Sequence, residues 1–295
     1  MNDIKTRKLK IVAGMPAFNE SKYLGSLLLK TRQYVDEVFI VDDGSSDDTV
    51  KVAELAGAGV VKHGTNKGYG AAIQSIIAEA KRRNADVLVI LDADAQHDPK
   101  EIPGIIQPVL DNKADFVIGT RRKEQKKIPF YRRIGQKVIL SSVKILSDDD
   151  LTDSECGFRA FSRKAMNTME LRENGMAVSA EAVAEASRKG LVTLQVPVSV
   201  TYNDDSSTLN PVRHGVGVLA GIISMISEQR PLYFFGLGGV ICLTIGLIFG
   251  IRVVDMFSKS HILPVGNTLL SVLFLVIGAF SVFTGLILRV LTRRK

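Results

Sequence analysis

Between residues 10 and 120 the chain alternates two hydrophobic periods. Short apolar runs stand at Lys10–Met15, Glu37–Val41, Gly59–Lys62, Val87–Leu91 and Phe116–Gly119. Between them apolar residues recur every three to four positions over Tyr23–Gln33, Thr49–Leu55, Ala71–Arg83 and Ile102–Leu110. The first pattern predicts strands and the second helices. Their alternation predicts an α/β fold, a mostly parallel sheet with helices on both faces. In such sheets ligands bind beyond the carboxyl ends of the strands. The segments that follow strands are therefore where chemistry is to be sought.

From Phe130 to Pro197 the pattern is less regular, with helices expected near Ile134–Leu146 and Ala180–Lys189 and a strand at Thr193–Val196. Asn203 to Pro211 is a polar loop, and Asn210 then Pro211 suit an N-cap and first helical position. The next helix carries Val212, Val216, Leu219, Ile222, Ile223 and Ile226 on one face. That face either packs on a core or lies in a membrane interface. Two uncharged runs follow, Leu232–Ile251 and Val265–Leu288. Each reaches the roughly 20 residues needed to cross a bilayer. The short connector Arg252–Pro264 makes them a hairpin. The expected division is a catalytic domain over 1–210, an amphipathic interfacial helix over 211–230 and a transmembrane hairpin with a basic tail over 231–295.

Basic residues orient the hairpin. Arg230, Arg289, Arg293, Arg294 and Lys295 flank one side, and only Arg252 and Lys259 the other. By the positive-inside rule the richer side, with the large domain and both termini, faces the cytoplasm of a cell-membrane protein. The first twelve residues hold no apolar stretch long enough for a signal peptide. Gly246 and Gly250 form a small-xxx-small pair through which two copies could associate. The two cysteines, Cys156 and Cys242, are not expected to form a disulfide, since the second falls in a span.

The net charge of +7 suggests a polyanionic or phosphorylated partner. Nucleic acid is not favoured, because no aromatic–basic stacking run accompanies the charge. The strand ends are more informative. They read "PAFNE" from Pro16, "DDGSSDDT" from Asp42, "DADAQ" from Asp92 and "GTRR" from Gly119. In a parallel sheet all four face one crevice, which then offers carboxylates, guanidinium groups and a metal-binding candidate. Asp92, Asp94 and Gln96 are spaced by two, so along a continuing strand they point the same way. Oxygen donors of this kind suit Mg²⁺ or Mn²⁺ with substrate phosphates. A dehalogenase-type phosphatase also places D-x-D after a strand, but its motif sits near the start of the core and does not have Gln96 in this place.

As an ordered set, "PAFNE", "VDDGSSDDT", "NKGYGAA", "LDADAQHDP", "GTR" and "DSECGFRAFS" resemble the family 2 glycosyltransferases of the dolichyl-phosphate mannose or glucose synthase type. The resemblance covers about residues 10–200. It implies a GT-A fold, a nucleotide-sugar donor, a divalent metal, a polyprenyl (dolichyl) phosphate acceptor in the lipid bilayer, and inversion at the sugar carbon. Carried over residue by residue, it implies that Pro16, Ala17, Asn19 and Glu20 form the first nucleotide-binding segment. Asp42 and Asp43 match the acidic pair that reads base or ribose. Lys67 either approaches the nucleotide or sits in a turn. Asp92, Asp94 and Gln96 match the metal triplet, and His97 beside them is expected to be structural. Arg121 matches a phosphate-binding arginine, and Arg132 and Arg133 the position that grips the lipid phosphate. Asp153 is either near the acceptor, a turn residue or an ion-pair partner of Arg159. Asp204 and Asp205 stand where mannose-type synthases are basic, which tilts the donor toward a UDP-sugar, UDP-glucose or a UDP-N-acetylhexosamine, over GDP-mannose. The competing class, a membrane-anchored nucleotide sensor, would need the crevice without acceptor arginines or Gln96.

Overall fold

The computed structural model describes residues 8–121, 156–201, 223, 226–227 and 230–292. Two compact units divide the chain, residues 1–222 and 223–295.

The first unit is built on a seven-stranded sheet in the order β3-β2-β1-β4-β6-β5-β7. The strands are β1 (Ile11–Ala17), β2 (Glu37–Asp42), β3 (Gly59–Lys62), β4 (Val87–Ile90), β5 (Phe116–Arg121), β6 (Arg159–Ser162) and β7 (Thr193–Val198). The helices are α1 (Ser21–Thr31), α2 (Thr49–Leu55), α3 (Tyr69–Arg82), α4 (Ile102–Leu110), α5 (Arg163–Thr168) and α6 (Val178–Arg188). A 3₁₀ turn, Pro99–Glu101, leads into α4. β1, β2 and β4 are buried almost throughout, as strands covered on both faces must be. The helices sort into two groups, α3 with α5 and α6, and α1 with α2 and the 3₁₀ turn.

The strands predicted from the pattern are all present, and the helices at Thr49–Leu55 and Ile102–Leu110 have the expected bounds. β6 is an addition. It enters the sheet antiparallel to both β4 and β5. Its register sets Arg159 beside Ile90 and Ile118, so the segment before it lies at the same edge as the ends of β4 and β5. Arg159 and Ser162 flank its two apolar residues, so it forms no apolar run like that of β4, and this strand and α5 were not legible in the sequence. The helix expected over 134–146 and most of the expected interfacial helix lie outside the described residues.

A segment after α5 docks on the start of α3. Gly70 N–H donates to the Asn174 carbonyl at 2.8 Å, and Gln74 Nε2 to the Glu173 carbonyl at 2.9 Å. From α6, Glu181 accepts the N–H groups of Arg172 and Glu173 at 2.9 Å each. Burial pushes the Glu181 carboxyl above the usual range, and those N–H bonds offset part of the push. A side chain at residue 70 would put its Cβ 2.0 Å from the Glu173 carbonyl oxygen, so only glycine fits there.

The second unit is a helical hairpin, α7 (Pro231–Ser260) and α8 (Val265–Thr292). Both helices are long and apolar enough to cross a membrane, and little of either is buried. The helices run past the uncharged cores. Arg252–Ser260, expected as connector, continues α7, with an Asp255–Lys259 ion pair one turn apart at 2.8 Å. His261 closes the helix in the left-handed region at φ 55°, its N–H on the Phe257 carbonyl. The glycines that suggested self-association meet the hairpin's own second helix. A Cβ at Gly246 would lie 2.8 Å from Leu275, and one at Gly250 3.1 Å from Ser271 Oγ. Gly239 and Gly278 would each place a Cβ 2.8 Å from the other's carbonyl oxygen. Ser271 and Ser281 hydroxyls donate to the Gly246 and Phe235 carbonyls at 2.8 Å. Small residues and hydroxyls of this kind draw helices together without a hydrophobic drive. Neither Cys156 nor Cys242 forms a disulfide.

Replacing Gly70 with alanine is expected to cost about 2 kcal/mol or more, because the blocking atom is backbone. Denaturant or thermal unfolding of Gly70→Ala measures it. A melting curve superimposable on the wild type would refute the close contact.

Candidate active site

The ends of β1 and β2 are tied to each other. Asn19, with φ 58°, donates its N–H to Ser45 Oγ at 2.9 Å and accepts Ser46 N–H on Oδ1 at 2.8 Å. Glu20 N–H donates to Thr49 Oγ1 at 2.8 Å. Asp47 accepts the Thr49 N–H at 3.0 Å and the Ser21 N–H at 3.2 Å, bracing the starts of α2 and α1 together. Burial pushes Asp47 up, but the hydrogen bonds from Thr49 and Ser21 outweigh it and hold the carboxyl at about 2. Neither Asp42 nor Asp43 caps α2, which begins after Asp48. Pro16 and Ala17 are the last residues of β1, buried and paired with Val41 and Asp42, so they shape the edge through backbone.

Asp42 and Asp43 are both buried, and they differ in their partners. Asp42 accepts one backbone N–H, from Ser45, at 3.2 and 3.4 Å from its two oxygens. Asp43 is more heavily engaged. It accepts the N–H groups of Lys67 and Gly68 at 2.9 and 2.8 Å and meets His63 Nδ1 at 2.7 Å. Lys67 itself is exposed, standing on the turn that Asp43 holds.

After β4 the pairing stops at Ile90, and the chain turns. The expected continuing strand is not there. Ala95 takes φ 58°, and Asp94 Oδ1 accepts the Gln96 N–H at 3.0 Å. An Asx turn replaces extended chain because a short carboxylate can bond the backbone two residues on. Leu91 and Ala93 are nevertheless buried while Asp92 and Asp94 are partly open, so the two carboxylates do share the freer side. Gln96 enters through its backbone, whose carbonyl accepts Thr201 N–H at 2.9 Å. Its side-chain amide is therefore not brought to the carboxylates by the alternation first expected. His97 is buried against Phe158, ring centroids 5.2 Å apart, with Nε2 3.9 Å from Cys156 Sγ.

Asp92 is held from behind. Tyr69 donates its hydroxyl to Oδ1 at 3.0 Å. A Cβ on residue 157 would lie 2.0 Å from Oδ2, so the carboxylate rests on Gly157. Burial and the Asp92 charge drive the Tyr69 phenol well above its usual range, with buried Arg159 opposing. Arg159 Nε donates to the Cys156 carbonyl at 2.8 Å. Tyr69, Gly157 and Arg159 were missed as site residues. The only trace in the sequence was their presence inside "NKGYG" and "CGFR", strings that the fold brings together through β6.

Glu20, Asp92 and Asp94 form one electrostatic group. Burial, then Asp94, Asp92 and Asp47, push the Glu20 carboxyl up to about 7. Burial and Asp92 raise Asp94, with the Gln96 N–H and His97 offsetting part. Asp92 and Asp94 thus both act on Glu20, and Asp92 on Asp94. Among the described residues no three His, Cys, Asp or Glu groups converge to enclose an ion by themselves. The donor set fits a hard divalent cation that keeps waters and takes its remaining oxygens from a phosphate ligand. Arg121 ends β5, paired with Val198. Arg132, Arg133 and Asp153 lie outside the described residues, as do Asp204 and Asp205.

Against known proteins, the description "Glycosyl transferase family 2" matches residues 13–169. The chain is 31% identical over 231 residues to the UDP-N-acetylglucosamine–dolichyl-phosphate N-acetylglucosaminyltransferase of Methanococcus voltae, covering 70% of this chain and 90% of that one. It is 26% identical to the undecaprenyl-phosphate 4-deoxy-4-formamido-L-arabinose transferase of Klebsiella pneumoniae (strain 342), covering 94% of this chain and 86% of the relative. Among solved structures it superposes on glucosyl-3-phosphoglycerate synthase from Mycobacterium tuberculosis in complex with Mn²⁺, UDP-glucose and phosphoglyceric acid. The TM-score there is 0.59 at 21% identity, covering 73% of this chain and 79% of that one. That likeness speaks for the fold alone.

The raised Glu20 carboxyl has a consequence for stability. Its folded value of about 7 exceeds its ordinary 4.5, so the ligand-free protein binds this proton more tightly than the unfolded chain does. Stability therefore falls as pH rises from about 4.5 to about 7. With solvent screening, the effect is on the order of 1–2 kcal/mol. The Asp47 shift acts at lower pH and does not cancel it. Melting of wild type and Glu20→Gln across pH 4.5–7.5, without metal, should show a smaller decline in the variant. Parallel curves would refute the assignment.

Proposed function

The chain belongs to glycosyl transferase family 2, and on that premise we propose that it transfers a hexose from a UDP-sugar to a polyprenyl phosphate, with inversion. The observation that carries this reading is the group of Glu20, Asp92 and Asp94, three carboxylates gathered at the carboxyl edge of a parallel sheet, in a chain that also bears two apolar helices. The Methanococcus voltae relative is named for a UDP-N-acetylglucosamine donor and a dolichyl phosphate acceptor, the Klebsiella relative for an undecaprenyl phosphate. We place the catalytic unit and both chain ends on the cytoplasmic side, from the basic residues that flank the hairpin.

The acceptor phosphate is already anionic near neutral pH (second pKa about 6) and needs little help from a base. The difficulty is to bring two anions together and release a nucleoside diphosphate. Asp92 and Asp94 would hold Mg²⁺ or Mn²⁺, which when bound neutralises charge on the leaving diphosphate; the fold neighbour holds Mn²⁺ beside UDP-glucose. Tyr69 and Gly157 set the orientation of Asp92. Asn19, Glu20 and Asp42 line the nucleotide side, with Lys67 at its rim. Arg121, Arg132 and Arg133 grip the acceptor phosphate by charge-assisted hydrogen bonds and align one oxygen on the sugar carbon. The bond from that carbon to the diphosphate breaks as the new carbon–oxygen bond forms. Asp153 is assigned beside the acceptor.

Membranes holding the protein, incubated with labelled UDP-glucose, UDP-N-acetylglucosamine or GDP-mannose, should pass label from one of the UDP-sugars into organic-extractable lipid. EDTA should abolish the transfer, and Mn²⁺ or Mg²⁺ restore it. Asp94→Asn should lower it about a hundredfold or more. Full activity in EDTA would remove the metal from the reaction.

The acceptor arginines are checked separately. Arg132→Ala combined with Arg133→Ala should raise the KM for polyprenyl phosphate by about tenfold or more and leave UDP binding nearly unchanged. Loss of UDP binding instead would assign these residues to the donor.

A further inference from the structure

Beneath the turn between β3 and α3 runs a chain of three hydrogen-bonded side chains that the mechanism does not use. Ser75 Oγ, on α3, lies 2.9 Å from His63 Nε2. His63 Nδ1 lies 2.7 Å from Asp43 Oδ1. His63 and Asp43 are buried, at 9% and 4% exposure. The carboxylate then accepts the N–H groups of Lys67 on Oδ1 and Gly68 on Oδ2. A carboxylate oxygen only accepts, so the ring donates through Nδ1.

The order serine, histidine, carboxylate is that of an acyl-transfer triad, but the roles are reversed. Here the carboxylate end points at the crevice loop, and its second oxygen is already taken by Gly68. The chain of bonds holds backbone rather than activating a hydroxyl. What it holds matters. Gly68 sits at φ 97°, a conformation that leads the chain into α3. The next residue, Tyr69, donates to Asp92. The preceding one, Lys67, projects into solvent at the rim.

We propose that His63, anchored by Ser75, is a positioning residue: it fixes Asp43 as the clamp on the 67–68 turn and thereby sets Lys67 against the nucleotide. Asp43 is then a holder of the loop rather than a reader of base or ribose. The inference rests on the proposed reading of the crevice as the nucleotide site.

The test uses the full chain in detergent, with UDP and Mn²⁺ as the probe and calorimetry as the readout. His63→Ala should weaken UDP about tenfold, the loss of one buried hydrogen bond of about 1.4 kcal/mol. His63→Asn, whose amide can replace the Nδ1 donor, should stay within about threefold of wild type, and Ser75→Ala should weaken UDP by about threefold. If His63 acts through the turn, His63→Ala with Lys67→Ala should bind UDP no more weakly than Lys67→Ala alone. Additive losses would overturn the proposal. So would a lowered melting temperature with UDP affinity unchanged in both His63→Ala and Ser75→Ala, which is the mark of a purely structural role. Should His63→Ala fail to fold, Ser75→Ala and His63→Asn decide by the same readouts. Unchanged UDP affinity in Lys67→Ala would instead remove the premise that this turn meets the nucleotide, and the proposal with it.

Discussion

Glu20, Asp92 and Asp94 repel one another in a partly dried crevice, and much of the surrounding architecture keeps them together. Left to itself, such a group would spread into water. The parallel sheet prevents this by delivering β1 and β4 side by side to one edge, where Gly14 is paired with Ile90. The chain then leaves each strand through a left-handed residue, Asn19 after β1 and Ala95 after β4. Both turns are held by hydrogen bonds to other loops, to Ser45 and Ser46 from the first and to Thr201 from the second. Burial, with that repulsion added to it, raises the carboxyls of Glu20 and Asp94. A cluster of carboxylates in such a place favours a cation, and through it a phosphate ligand.

The acidic residues at the strand ends divide into two kinds of work. Asp47 and Asp43 are occupied with backbone N–H groups and hold loops in place. Asp92 and Asp94 stand partly open after β4, Asp92 on the Tyr69 hydroxyl and Asp94 on the Gln96 N–H. Composition does not separate the two kinds, since all four lie in runs of aspartate after strands. Hydrogen-bond partners do, because a carboxylate whose oxygens already accept two or three donors has little capacity left for a ligand.

The second unit obeys a different solvent. Its helices expose Leu, Ile, Phe and Val along most of their length, which water would not tolerate and a bilayer would. Their mutual contact rests on Gly239, Gly246 and Gly278, with Ser271 and Ser281 reaching carbonyls across the seam. Glycines already pressed against the neighbouring helix are not left over for a second copy, which is why the pattern Gly246–Gly250 reads as hairpin packing.

Much of this was legible in the chain itself. Two hydrophobic periods, repeated over a hundred residues, determined the order of strands and helices, because a buried strand and an amphipathic helix impose different spacings. Two long uncharged runs determined the hairpin for the same reason, and the ordered motifs placed chemistry at the strand ends. Tertiary structure decided what pattern does not encode. β6 sets two apolar residues between an arginine and a serine, so only pairing with β4 and β5 reveals it, and with it the position of Gly157 and Arg159 behind Asp92. The roles of Asp42 and Asp43, neighbours in sequence, separated only when the turn at Lys67 and the His63 ring came to rest on one of them. Asp94 kept its place on the open side through an Asx turn, not a strand. Sequence determined which residues could make these contacts; three-dimensional proximity, set by long-range strand pairing, decided which of them did.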